Sequence, residues 1–294
     1  MRASDPSRVS PTAHYTGYVW VRHGLSPAGL GTGFGRLMFH GLRPLARVAS
    51  LGTGGVILET FLLQRHRIID RCLERAIEGG RIGQVVEIAG GLSGRGLRFA
   101  ERFADQGLVY VEGDLPGMAR RKQRMLDALG PRRPGHHVIG VDALRDDGPL
   151  ALGAAAGPLL DPSRGTALVT EGLLNYFDRP SVLDMWRRFA RFLQDFPAGQ
   201  YLTDVHLRDA VHARVVPRVF LAALGVFAAG SMHLHFATEE ELAEACRSAG
   251  FGAPEVHRPE ALAAELGLSR SRGPDHVRVL ECWCCRDGGG RLRR

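Results

Sequence analysis

Lysine is all but missing from this chain: Lys122 is the only one among 38 basic residues, and the rest are arginines scattered along the sequence. Against 31 acidic residues they leave a formal net charge of +7. Such a balance invites a nucleic-acid partner, but that function asks for cations gathered on one helix or face, and no basic helix stands out. Part of the excess sits near the end, on Arg286, Arg291, Arg293 and Arg294. The arginines read as a solvated basic surface. Disulfide-framework spacing is also missing. Five cysteines, at positions 72, 246, 282, 284 and 285, are an odd number and point to reduced thiols in a cytoplasmic protein. No apolar run reaches the about 18 residues of a membrane span, and MRASDPSRVSPTAHYTG at the start lacks a signal-peptide core. Aromatics make up only 7%, with 45% hydrophobic and 23% charged residues, a composition that excludes collagen, coiled coil and disordered tail. At 294 residues the chain can bury a full core.

What is present is an alternation of short Val- and Ile-rich runs with helix-period segments, the pattern of βαβ units and a parallel sheet. Seven strands are expected: QVVEIAG (84–90), LVYVEGD (108–114), HHVIGVDA (136–143), ALVTEG (167–172), QYLTDVH (200–206), FGAPEVHR (251–258) and HVRVLECWC (276–284). Helices are expected over 117–129, 181–196 and 238–250, the last with Thr238 and Glu241 as a capping box and Gly250 as its stop. Residues 1–80 look mainly helical and read as a cap on the core rather than a separate domain. The expected organisation is one domain over 1–294: cap 1–80, core 81–285 with an insertion at 207–236, and a basic tail 286–294.

In open α/β sheets ligands bind beyond the carboxyl ends of the strands. The first strand ends in Ala89, Gly90 and Gly91, small residues that let backbone amides approach a ligand. The second ends in Asp114, whose carboxylate can accept from two ribose hydroxyls. The third ends in Asp142, placed to accept from an adenine amino group, and the fourth in Glu171, placed to face an ammonium. Singly, a glycine pair is more often a tight turn and a carboxylate more often a helix cap. Four in succession are far more specific.

The segments VVEIAGGLSGRGLRF, VYVEGDLPGMARRKQRML, IGVDAL and ALVTEGLLNYF, in that order, resemble the leucine carboxyl methyltransferase family. The resemblance implies a class I methyltransferase fold, a Rossmann-like α/β sheet of seven mostly parallel strands. It further implies an O-methyltransferase that uses S-adenosyl-L-methionine and releases S-adenosyl-L-homocysteine. The family's cofactor residues carry over to Gly90, Gly91, Asp114, Asp142 and Glu171, with Glu87, Leu115 and Ala143 of the same motifs. An arginine ahead of the first strand holds the cofactor carboxylate in the family; Arg65 is the closest match and Arg67 the alternative. The chain departs from the family at its first turn, where Ser93 stands in place of a common Asp.

The implied methyl acceptor is a small molecule, a carboxylate of a natural product or metabolite, with a hydroxyl as the other possibility. Its pocket is expected to draw on Tyr18, Arg22, Asn175, Tyr176, His206 and His235, with His206 the candidate base because it ends the fifth strand. The rival readings are an RNA methyltransferase, suggested by charge, and a protein that keeps the cofactor fold for a non-methylating role. No metal is expected. His233 and His235 lack a third ligand of suitable spacing, and the CWCC run (282–285) reads as a buried strand with small thiols.

Overall fold

The computed structural model describes residues 11–52, 58–208, 233–268 and 277–285. Three helices come first: α1 (Pro11–Arg22), α2 (Gly33–Gly52) and α3 (Leu58–Glu78). Then β1 (Gln84–Ile88), α4 (Arg95–Arg102), β2 (Val109–Asp114), α5 (Pro116–Asp127) and β3 (His136–Gly140) follow. After these come α6 (Leu152–Ala156), β4 (Thr166–Thr170), α7 (Arg179–Leu193) and β5 (Ala198–His206). The described chain closes with α8 (Glu239–Ala249), β6 (Glu255–His257), α9 (Pro259–Leu262) and β7 (Val277–Cys285).

The strands form one sheet in the order β3-β2-β1-β4-β5-β7-β6. The first five are parallel, and β7 runs antiparallel between β5 and β6. Strand order reverses between β1 and β4, so the carboxyl ends of these strands flank a crevice. The pleat divides the core. Val85, Tyr110, Ala167, Val169, Leu202 and Val279 meet the Ile68, Ile69, Cys72 and Leu73 stripe of α3. Val86, Val111, Leu168, Tyr201 and Leu280 meet Val182, Trp186 and Phe189 of α7 and Leu242 and Cys246 of α8. With helices on both faces, β1 and β4 are buried along their whole length, which is why their middles are Val- and Leu-rich rather than alternating, and why Gln84 and Glu87 there are hydrogen-bonded.

Local signals set the helix ends. Thr238 Oγ1 accepts from the Glu241 N–H at 3.3 Å, and Gly250, at φ +102°, stops α8. The Glu241 carboxylate reaches back one residue further than a standard box, to the Ala237 N–H at 2.7 Å. Helix α7 starts two residues before its expected position, because Asp178 accepts from the Ser181 N–H at 3.0 Å and Pro180 occupies its first turn. Pro254 cannot donate to a ladder, and β6 keeps only three of the eight residues expected of it.

Of the leading helices, α3 lies on the sheet, α2 packs on α1, and α1 meets the loop after β1. A Cβ on Gly17 would stand 2.8 Å from Leu92 Cβ, and the Gly94 N–H donates to Ser26 Oγ at 2.7 Å. Of the expected insertion, the two ends are described: Leu207 and Phe236 form an isolated bridge, and the Arg208 N–H donates to the Phe236 carbonyl at 2.8 Å. Residues 209–232 and the tail 286–294 lie outside the described residues.

Candidate functional site

At the end of β1 the chain turns through two left-handed residues, Ala89 at φ +57° and Gly91 at φ +55°. Glycine takes that conformation freely; alanine pays for it and is the only non-glycine with positive φ among the described residues. The turn is tied to β2. Ala89 N–H donates to the Gly113 carbonyl at 2.7 Å, and Gly91 N–H donates to Asp114 Oδ2 at 3.1 Å. Asp114 Oδ1 accepts from the Leu115 N–H at 2.8 Å. Burial raises the Asp114 carboxyl above its ordinary value, and these two amide bonds oppose that rise without cancelling it. Since each carboxylate oxygen has two acceptor positions, Asp114 can take two further donors.

Beyond β3, Asp142 Oδ1 accepts from the Leu144 N–H at 3.1 Å, and Arg145 stands 3.5 Å from the other oxygen. Leu115 and Leu144, which follow the two acids, are 39% and 42% exposed. Ala143, between Asp142 and Leu144, is half-buried.

Glu171, just past β4, sits in a cluster of charges. Its Oε1 accepts from Arg65 Nε at 3.1 Å; its Oε2 accepts from Arg95 Nη2 at 2.5 Å and lies 2.9 Å from His66 Nδ1. Arg65 also donates from Nη1 to Asp204 Oδ2 at 2.8 Å, while Asp204 Oδ1 takes the Gly172 N–H at 2.6 Å. Arg67 turns elsewhere, onto the Leu266 carbonyl at 3.2 Å, so of the two candidate arginines Arg65 is the one beside Glu171. Arg95 is fully buried and bridges three carboxylates: Asp70 at 2.6 Å, Glu87 at 2.6 Å and Glu171 at 2.5 Å. Glu87 spends its second oxygen on the Tyr110 hydroxyl at 2.8 Å. It therefore lies beneath the turn, against Gly90, where an added Cβ would meet it at 3.1 Å. Burial would raise the Glu171 carboxyl, but His66, Arg95 and Arg65 outweigh it and hold the group far below the usual range. Asp70 behaves alike, with His66, Arg95 and Arg98 overcoming burial and bringing it down to about 2.

The expected acceptor residues fall into two groups. Asn175 and His233 exchange backbone and side-chain hydrogen bonds at 2.9 and 3.0 Å, and His235 Nε2 lies 3.0 Å from the Leu174 carbonyl. Burial lowers the His235 imidazole. The Tyr176 hydroxyl donates to Thr12 Oγ1 at 3.0 Å, joining the loop after β4 to α1. His206 ends β5 with Nε2 3.9 Å from Asp204 Oδ2, which links it to the Arg65 side of the charge cluster. Tyr18 and Arg22 find their partners on α2: Tyr18 packs on Phe39 and meets His40 at 3.3 Å, and the Arg22 guanidinium lies over the Phe39 ring at 5.4 Å.

The family model described as leucine carboxyl methyltransferase matches residues 37–190, a stretch that runs from α2 into α7 and contains the ends of β1, β2, β3 and β4. The chain belongs to this family. A Frankia alni protein named "Putative S-adenosyl-L-methionine-dependent methyltransferase" is 39% identical over 112 residues, which are 38% of this chain and 34% of that protein. The match thus takes in about a third of the length of the curated relatives. Among solved structures, a duf574 family protein from Streptomyces avermitilis has TM-score 0.60 at 13% identity, covering 92% of this chain and 96% of that one. A "putative methyltransferase" from Thermobifida fusca has TM-score 0.56 at 13% identity, covering 95% and 96%. These two share the fold.

Sequence reading of this family member missed His66, Asp70, Arg98 and Asp204, which the structure brings to the charge cluster. One signal was available. Asp70 is a carboxylate on the buried stripe of α3, between Ile69 and Cys72, and a charge there must find a partner. His66 of the same helix is one partner, and the two arginines come from α4.

Proposed function

We propose that the chain binds S-adenosylmethionine across the carboxyl ends of β1, β2, β3 and β4 and transfers its methyl group to an oxygen of a small acceptor. The observation that carries this reading is Asp114, held by the Gly91 and Leu115 amides with acceptor positions to spare. Those positions suit the two ribose hydroxyls. Leu115 and Leu144 supply apolar surface for the adenine, and Asp142 an acceptor for its amino group. Arg65 has N–H groups beyond those given to Glu171 and Asp204, and these suit the ligand carboxylate. Glu171 Oε1, bonded once by Arg65, has room for the ammonium. The names carried by relatives such as the Frankia alni protein support the same cofactor.

Methyl transfer from a sulfonium is an in-line displacement, so the chain's contribution is to hold acceptor oxygen, methyl carbon and sulfur in line and exclude water. A carboxylate acceptor arrives ionised and needs no base, so on this reading His206 contributes to binding and not to proton removal. Against RNA as the acceptor stand the surface arginines already paired with carboxylates, Arg102 with Glu78, Arg132 with Asp127 and Arg188 with Asp146 among them.

The test is calorimetric titration of the purified chain with S-adenosylhomocysteine, followed by methyl transfer from labelled cofactor to a panel of carboxylic acids and phenols. Binding with transfer to acids is expected. Absence of binding by the folded protein would overturn the cofactor reading; binding without transfer to any acceptor would leave the fold serving a non-methylating role.

A further inference from the structure

Toward the β6 edge of the sheet, Cys72 of α3, His257 of β6 and Glu281 of β7 are all buried, and their Sγ, imidazole nitrogen and carboxylate oxygen lie within 4.8 Å of one another. The pleat brings them together. Glu255 pairs with Glu281 and His257 with Val279, so His257 and Glu281 share one face, offset by two positions. That face is the one α3 covers, and Cys72 belongs to its buried stripe.

The surroundings resemble an outer ring built to orient a ligand set. Glu281 Oε1 is anchored by Gln200 Nε2 at 2.8 Å and Trp283 Nε1 at 2.9 Å, while Oε2 turns to His257 Nε2 at 2.8 Å. His257 Nδ1 faces the Glu255 carboxylate at 3.6 Å. Metal-binding imidazoles and carboxylates are oriented in this way, through the atom that does not touch the metal. A second observation points to a guest: Gln200 Oε1, on the same residue that anchors Glu281, is buried without a hydrogen-bond partner. Such an atom is costly unless something occupies the space beside it.

We propose that Cys72, His257 and Glu281 bind a zinc ion, with water at the fourth tetrahedral position. Thiolate, imidazole and carboxylate are the donors zinc takes, whereas magnesium and calcium ask for oxygen alone. One thiolate and one carboxylate neutralise a divalent ion, so the closed site carries no net charge into the apolar layer between α3 and the sheet. Binding expels the thiol proton from Cys72 and moves the His257 proton to Nδ1, toward Glu255; an imidazolium releases one proton more. The ion pins α3, which carries Arg65, His66 and Asp70, to the antiparallel end of the sheet.

The full chain, stripped with chelator, is titrated with cobalt(II) and then with zinc. One equivalent of cobalt is expected, with a near-ultraviolet thiolate-to-cobalt band that zinc abolishes, and zinc raises the unfolding temperature of the stripped protein. The band is lost in Cys72→Ser and kept in Cys246→Ser and Cys282→Ser, and Trp283→Phe weakens zinc about 10–100-fold by freeing the outer carboxylate oxygen. No thiolate band in the wild-type chain overturns the proposal whether or not any variant folds. So does a band that survives Cys72→Ser.

Discussion

The Trp20 indole lies on the His66 imidazole, ring centroids 4.2 Å apart and planes inclined by 27°. Through that stack α1 presses on the residue that stands between Glu171 and Arg98. Helix α1 is therefore packed against the charge cluster. Trp20→Ala should cost about 3–5 kcal/mol, the usual range for truncating a buried aromatic, and should weaken ligand binding as His66 gains freedom. Denaturant unfolding and a binding titration on the same variant check both halves. A stable variant with unaltered affinity would detach α1 from the site.

Arg95→Lys should destabilise the fold by about 3–5 kcal/mol although charge is conserved, because a single ammonium cannot replace a planar fork that bridges Asp70, Glu87 and Glu171. The unfolding free energy in urea is the measurement. A loss below about 1 kcal/mol would mean that water replaces the missing bonds and that the cluster is less closed than its burial indicates.

Acid should unfold the protein through the same cluster. Asp70 drops from its ordinary 3.8 to about 2 in the folded state, so the stability it adds is complete above 3.8 and is lost as pH falls toward 2. That gap is worth about 2 kcal/mol. Glu171, Glu112 and Glu281 are shifted in the same direction and add to the loss, while Asp114, shifted upward, works against it. Urea midpoints should decline gently from pH 7 to about 5, because the lowered imidazoles of His14, His137 and His235 refuse a proton that the unfolded chain takes up, and fall steeply below. In Asp70→Asn the decline should be shallower, and an unchanged decline would place the acid sensitivity elsewhere.

Asp114→Ala should leave the chain folded and reduce affinity for S-adenosylhomocysteine by about 1–3 kcal/mol, as ligand hydroxyls lose a charged acceptor. Calorimetry decides. Equal affinity in a folded variant would remove Asp114 from the proposed site.

For the acceptor, His206→Ala should lower the single-turnover rate less than about tenfold, with no new pH dependence, if the acceptor is a carboxylate. A general base typically contributes about a hundredfold or more and titrates near the imidazole range. A loss of that size, linked to pH, would turn the reading from carboxylate to hydroxyl.

The sheet was legible because strands buried on both faces are rich in Val, Ile and Leu, as the centres of QVVEI and TALVT are. The places of Asp114, Asp142 and Glu171 at or just past strand ends were legible because each closes an apolar run. The charge cluster was not: Arg65 meets Asp204 across 139 residues and Arg95 meets Glu171 across 76, distances over which no periodicity speaks. Tyr18 and Arg22 were expected in the acceptor pocket because they lie in the leading segment, yet helical spacing turns them onto Phe39 of the next helix. The Cys72, His257 and Glu281 group likewise has no spacing to read, since a helix and two antiparallel strands contribute one member each.

The bridge between Leu207 and Phe236 has an evolutionary consequence. The chain leaves the sheet at the end of β5 and returns to the same place, so the two ends of the excursion are fixed to each other before α8 begins. A segment clamped at its base can be lengthened, shortened or exchanged at small entropic cost while strand order is preserved. His206 lies on one foot of that clamp and His235 on the other. A lineage can thus trade the segment between them as a cassette while the turn at Ala89 and the carboxylates of Asp114 and Glu171 stay where they are.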